Sequence, residues 1–284
     1  MIARTMRFDD DYDSRDVEDR RGERVPIQAS GGFGLLASLI FRFGWKGGIV
    51  IFGLYFVVSR FAGGMHQVSS GPPQKAAHDS ARAFVGFVLD DVQKMWAERM
   101  PNYERAKVVL YSDATTTGCG MGEAAVGPFY CPRDEKVYLD VTFFQELRDR
   151  FGVNGDFAQA YVIAHELGHH VQRLTGTSDR VERAPLSAQK GEGHLSVRLE
   201  LQADCLAGVW ANSAESRGLL EGGDIDSAMR AAAAIGDDRL QQQATGTVRP
   251  ESFTHGSSAE RTRWFKRGHD SGDAKACDTF NSTL

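Results

Sequence analysis

Polar and apolar positions divide the chain into three stretches. Residues 1–32 are dense in charge, with Asp9, Asp10, Asp11, Asp13, Asp16, Glu18 and Asp19 set against Arg15, Arg20, Arg21 and Arg24. A stretch of this kind buries too little apolar surface to offset the entropy of ordering, and it is expected to be a disordered, flexible tail. The pattern then reverses. Phe33–Phe41 is apolar, Arg42 and Lys46 interrupt, and residues 47–59 carry no charge. A membrane span needs about 20 residues. Residues 45–64 supply that length, with Lys46 and Arg60 near enough to the ends to snorkel. The reading is one transmembrane helix, with a buried core helix or an interfacial hairpin as the alternative. Arg42 and Lys46 precede the span, which favours an inside amino terminus and a domain outside, in the periplasm or at the surface of a bacterium. Residues 65–75, with Ser69-Ser70-Gly71-Pro72-Pro73, read as a linker.

From residue 76 to 284 the periodicity is that of a folded domain. Helical spacing over 80–100 gathers Phe84, Phe87, Val88, Met95 and Trp96 on one stripe. Lys107–Tyr111 predicts a strand, and shorter strands are predicted at 129–131 and 136–139 between glycine and proline turns. Further helices are predicted over 156–173, 196–214 and 224–241. Ser257-Ser258-Ala259-Glu260 is a capping box that opens a last helix ending near Gly268. The order implies an α+β domain, mostly helical with a small sheet.

Composition is that of an ordinary globular protein, with 42% hydrophobic and 25% charged residues. A net charge of -5 argues against nucleic acid as the main partner. The absence of a glycine-rich phosphate loop argues against a nucleotide. Cys119, Cys131, Cys205 and Cys277 form no C-x-x-C pair, so they read as two disulfides in an oxidising compartment or as four buried thiols. Cys119 and Cys131 flank a glycine-rich turn, and a bridge there contributes about 3 kcal/mol.

The chemistry concentrates in His165-Glu166-Leu167-Gly168-His169. Residues four apart share a helical face, so both imidazoles reach one ion. Glu166 projects beside them, placed to act as the catalytic base on a water. Zn²⁺ suits this donor set, since it lowers the pKa of a water to about 7 and polarises a carbonyl. The flanking Tyr161, Val162, Ile163, Ala164 and Val171 make the helix apolar. Polar groups on such a face are costly without a shared ligand. His170 points about 100° away and reads as packing. A third ligand is required. Glu200 and Asp204, also four apart on an apolar helix, supply a ligand and a group that holds a ligand histidine from behind. His66, His78, His194 and His269 read as structural or solvated, and Asp237 and Asp238 as acids on a helix surface.

The pattern His165 to His169 followed by Glu200 and Asp204 resembles that of gluzincins, including thermolysin-like, CAAX-processing and HtpX-type proteases. Thr254-His255 with Arg261 resembles the late histidine–arginine element of the HtpX-type enzymes, although Gly256 stands where proline is usual. More closely, TGCGMGEAAVGPFYCPRDEKVYLD, AYVIAHELGHHVQ, LELQADCLAGVWA and SFTHGSSAERTRWF resemble the bacterial "putative neutral zinc metallopeptidase" family. The resemblance covers about residues 76–280, together with a charged amino terminus and one hydrophobic anchor. It implies a zincin-like (minigluzincin) domain and a zinc endopeptidase that acts on a peptide or protein substrate. It further implies that His255 hydrogen-bonds the oxyanion, that Arg261 orients His255 or the substrate, and that Cys119 pairs with Cys131 and Cys205 with Cys277. The strands over 129–139 would then offer a sheet edge to extended substrate. Two competing expectations are a non-catalytic envelope protein held together by zinc, and hydrolysis of another amide such as a cell-wall crosslink.

Overall fold

The computed structural model describes residues 6–23, 79–123, 127–153, 155–189 and 193–284. In chain order the strands are β1 (Val17–Asp19), β2 (Lys107–Tyr111), β3 (Ala114–Thr117), β4 (Gly120–Glu123), β5 (Phe129–Cys131) and β6 (Lys136–Asp140). The helices are α1 (Ser80–Arg99), α2 (Thr142–Phe151), α3 (Asp156–Leu174), α4 (Thr177–Glu182), α5 (Leu186–Gln189), α6 (Leu195–Ser216), α7 (Asp224–Ala234), α8 (Asp237–Thr245) and α9 (Ser258–Ser271). The domain is α+β and mostly helical.

The main sheet has the order β1-β2-β6-β5. Its first three strands are parallel, and β5 runs antiparallel to β6 at the edge. Side chains alternate across the pleat. Val108, Leu110, Val137 and Leu139 join the main core, to which α1 contributes Val85, Val88, Leu89 and Val92. On the opposite face Val109, Tyr111, Tyr138 and Cys131 form a smaller cluster covered by Phe129. Asp79 caps α1 by accepting from the amides of Ala81 and Arg82. The capping box at Ser257 and Glu260 forms as its sequence predicts.

Helix α3 is buried along most of its length, including Phe157, Tyr161, Ile163 and Leu167. It meets α6 at Gly168, where an added Cβ would lie 3.1 Å from the Cα of Ala203. A glycine there permits the approach, since any side chain would force the neighbouring helix to give way by a few tenths of an ångström. It brings the face carrying His165 and His169 against the face carrying Glu200 and Asp204.

Two expectations are corrected. Residues 6–23, read as part of a flexible tail, belong to the domain: β1 pairs with β2, and Met6 and Val17 are buried. Composition misleads there because the charges are spent on specific partners, such as Lys136 for Glu18 and Arg105 for Asp16. The helix expected over 224–241 is two helices, broken at Ile235-Gly236. Gly236 is extended (φ -69°, ψ 143°) and lies so close to Ser258 that a Cβ would collide with its backbone nitrogen. The span expected at residues 45–64 lies outside the described residues. Among the described residues no helix is long and apolar enough to cross a membrane.

Candidate metal centre and active site

Helix α3 carries the two imidazoles on successive turns, their ring centroids 4.9 Å apart. From α6, Glu200 Oε2 lies 3.2 Å from His165 Nε2, and Oε1 lies 3.5 Å from His169 Nε2. One donor atom from each residue falls within 4.8 Å of the others.

The surrounding hydrogen bonds determine what this cluster can hold. His165 Nδ1 lies 2.8 Å from Asp204 Oδ1, and His169 Nδ1 lies 2.9 Å from Gln172 Oε1. Both partners accept, so both Nδ1 atoms carry the proton and donate. Each Nε2 then faces a Glu200 oxygen, toward which it turns either a second proton or, with a metal bound, a lone pair. Two Nε2 atoms and a carboxylate converging in a buried site attract positive charge, whether as ring protons or as one shared cation, and the donor set fits a divalent ion of the zinc type. Electrostatics points the same way. Burial disfavours charge on His165, yet the Asp204 carboxylate prevails and pushes its pKa up to about 10. His169 is raised against burial by Glu200. Glu200 itself is held well below the usual glutamate range, against burial, by His169 and His255.

Behind the cluster, Asp204 is fully buried and its charge is matched. Arg261 donates from Nε to Oδ2 at 2.9 Å and from a terminal nitrogen to Oδ1 at 3.0 Å, while the Tyr161 hydroxyl donates to Oδ1. Arg261 also reaches the Ile235 carbonyl at 3.2 Å. Arg261, expected to orient His255 or the substrate, has its guanidinium engaged by Asp204, behind His165. The group that orients His255 is Asp237. Its Oδ1 lies 3.1 Å from His255 Nδ1, and its Oδ2 accepts the amides of Thr254, His255 and Gly256 at 2.6, 2.7 and 3.2 Å. Asp237 is therefore buried and engaged rather than an acid on a helix surface. The break at Gly236 is what turns it toward this loop. Asp238 likewise accepts from the amide and hydroxyl of Ser258.

A cavity of about 490 Å³ opens over the cluster. Glu166 and His255 line it together with His165, His169 and Glu200, and apolar side chains such as Phe143 and Leu240 complete the wall. Glu166 is largely buried and makes no hydrogen bond to another described residue, which leaves its carboxylate available to the cavity. Strand β5 lies at the rim. Its Tyr130 hydroxyl donates to His170 Nδ1 at 2.9 Å, and His170 Nε2 donates to the Glu104 carbonyl at 2.7 Å. Burial holds His170 neutral, so it is a structural residue that steadies Tyr130.

From sequence, Tyr161, Gln172, Asp237 and Tyr130 carry no assigned role at the site. Tyr161 stands four residues before His165 and Gln172 three after His169, so helical spacing alone places them on the ligand face. Asp237 and Tyr130 carry no comparable signal, because separate elements deliver them.

These features define a class: a mixed helix–sheet domain that brings two imidazoles from one helix and a carboxylate from a second close enough to hold a common cation. A model of the family described as "putative neutral zinc metallopeptidase" matches residues 6–280. The uncharacterised protein YpfJ of Escherichia coli (strain K12) is 42% identical over 294 aligned positions, covering 98% of this chain and all of the relative. The uncharacterised protein Rv2575 of Mycobacterium tuberculosis (strain ATCC 25618 / H37Rv) is 48% identical over 204 positions, 68% of each chain. No solved structure matches. The chain belongs to the neutral zinc metallopeptidase family so described. Cys119 is bonded to Cys131 and Cys205 to Cys277, the pairing that the resemblance implies.

Proposed function

We propose that this chain is a zinc-dependent endopeptidase with a zincin-like domain, in which His165, His169 and Glu200 hold the ion. Bound there, zinc would polarise the scissile carbonyl and acidify a water. Glu166 takes the proton of the attacking water and delivers it to the departing amine. His255, whose pKa is raised against burial by Glu200 and Asp237, donates to the oxyanion that forms on the substrate, an interaction worth about 3 kcal/mol in comparable sites. Extended substrate backbone pairs with the open edge of β5, next to the cavity. The disulfides favour an oxidising, extracytoplasmic compartment.

One observation carries this reading. The Nε2 atoms of His165 and His169 and the Glu200 carboxylate converge on one point, and a further carboxylate, Glu166, lines the same cavity. The test is Glu166→Gln, measured both for zinc content and for cleavage of an unfolded protein. The expected outcome is unchanged zinc and cleavage reduced by at least about 1,000-fold. Full activity in this variant removes the mechanism. A zinc-loaded wild-type chain that cleaves neither proteins nor wall peptides, but unfolds on chelation, supports the structural role instead.

A further inference from the structure

The segment before residue 24 and the domain after residue 78 are one folded piece. Strand β1 is in register with β2, from Val17 opposite Val108 to Asp19 opposite Leu110. Beyond the sheet, Phe8 packs edge-on against Phe84 with ring centroids 5.3 Å apart, and Tyr12 against Phe87 at 5.6 Å. The backbone amide of Arg7 donates to the Leu219 carbonyl, and that of Arg20 to the Leu110 carbonyl. Charges cross in both directions. Lys136 Nζ lies 2.9 Å from each oxygen of Glu18, Arg105 Nε lies 2.6 Å from Asp16, and Arg21 and Arg82 pair with Asp79 and Asp13.

These contacts constrain membrane topology. A hydrogen bond needs its partners within about 3 Å, whereas the hydrocarbon core of a bilayer is about 30 Å thick. A chain that crossed once between Glu23 and Asp79 would leave β1 and β2 on opposite faces, unable to pair. We propose that the amino-terminal segment before residue 24 and the domain after residue 78 lie on one and the same, extracytoplasmic, face of the membrane. The bridges Cys119–Cys131 and Cys205–Cys277 choose that face, because it is the oxidising one. This departs from the expectation of one transmembrane helix over residues 45–64 with an inside amino terminus. The loop positive charges argue weakly for an inside amino terminus, while paired backbone and buried side chains require both segments in one compartment.

The experiment uses the full chain in a bacterial host, with single cysteines at exposed Arg15 and Glu98. The described residues contain no free cysteine, and all four native thiols are bridged. Spheroplasts with an intact inner membrane are treated with a membrane-impermeant maleimide, before and after detergent. Arg15→Cys and Glu98→Cys are both expected to label before detergent, to extents within about twofold of each other. A need for detergent at either position overturns the proposal. If it is needed at Arg15→Cys alone, a single crossing is restored. If it is needed at both, the domain belongs on the inner face. A wild-type chain with an amino-terminal epitope provides a second measurement that needs no cysteine. Added protease is expected to remove the epitope from spheroplasts, and its survival there counts against the shared face.

Discussion

Asp204 binds His165 Nδ1, the Tyr161 hydroxyl and two nitrogens of Arg261 with two oxygens, all out of contact with water. It therefore has two tasks: fixing the tautomer of His165 and neutralising a buried guanidinium. Asp204→Asn separates them. Leaving Arg261 buried without its counter-charge is expected to destabilise the fold by about 3–5 kcal/mol, read from urea unfolding. Zinc affinity is expected to fall about 10–100-fold, read by competition with a chelator. Adding Arg261→Met should recover much of the stability but not the affinity, because the histidine remains unsupported. His255 and Asp237 form a second unit. His255→Ala should lower kcat about 100-fold with zinc content unchanged. Asp237→Asn should lower it less, and its loss should track a shift in the pH dependence of kcat, since Asp237 acts only through the imidazole it holds.

Among the elements, β1 is the one that composition concealed. Glu18 anchors it. Burial opposes its charge, but Lys136, Lys107 and Arg20 pull its pKa from the ordinary 4.5 down to about 2. Because the folded value lies below the unfolded one, the stabilisation is complete above about pH 4.5 and is lost as pH falls through about 2. Urea midpoints of wild type and Glu18→Gln should therefore differ most above about pH 5 and converge toward pH 2. A constant gap would mean that the carboxylate charge is not what holds β1. The helices that carry the site were legible because their apolar stripes are long and regular, over 156–173 and 196–214. The break at Gly236 was not, because residues 224–241 keep a helical pattern and only the close approach of Ser258 forbids continuation.

Across the whole molecule, two disulfides close loops of very different length. Cys205–Cys277 spans 72 residues and ties α6 to the chain's end, whereas Cys119–Cys131 spans 12. On loop-closure entropy the first is worth about 4 kcal/mol and the second about 3. Replacing the longer pair with alanines should lower the unfolding free energy by the larger amount. Replacing Cys119 and Cys131 should instead raise KM at unchanged zinc content. Cys131 ends β5, and its neighbours Tyr130 and Pro132 line the cavity. Equal effects of both pairs on KM would remove β5 from substrate binding.

By itself the sequence determined which residues share a helical face, His165 and His169 on one helix with Glu166 on the same turn, Glu200 and Asp204 on another, and the mainly helical α+β class. Spacing along a regular helix is local geometry, so it needs no knowledge of the rest of the chain. Tertiary structure decided which faces meet and who stands behind whom. The closeness allowed by Gly168 joins α3 to α6, and the turn at Gly236 hands His255 to Asp237. Arg261 is drawn to the buried charge of Asp204, and β1 to a sheet whose other strands lie about ninety residues further on. Such pairings depend on distances between elements remote in the chain, and no periodicity encodes them.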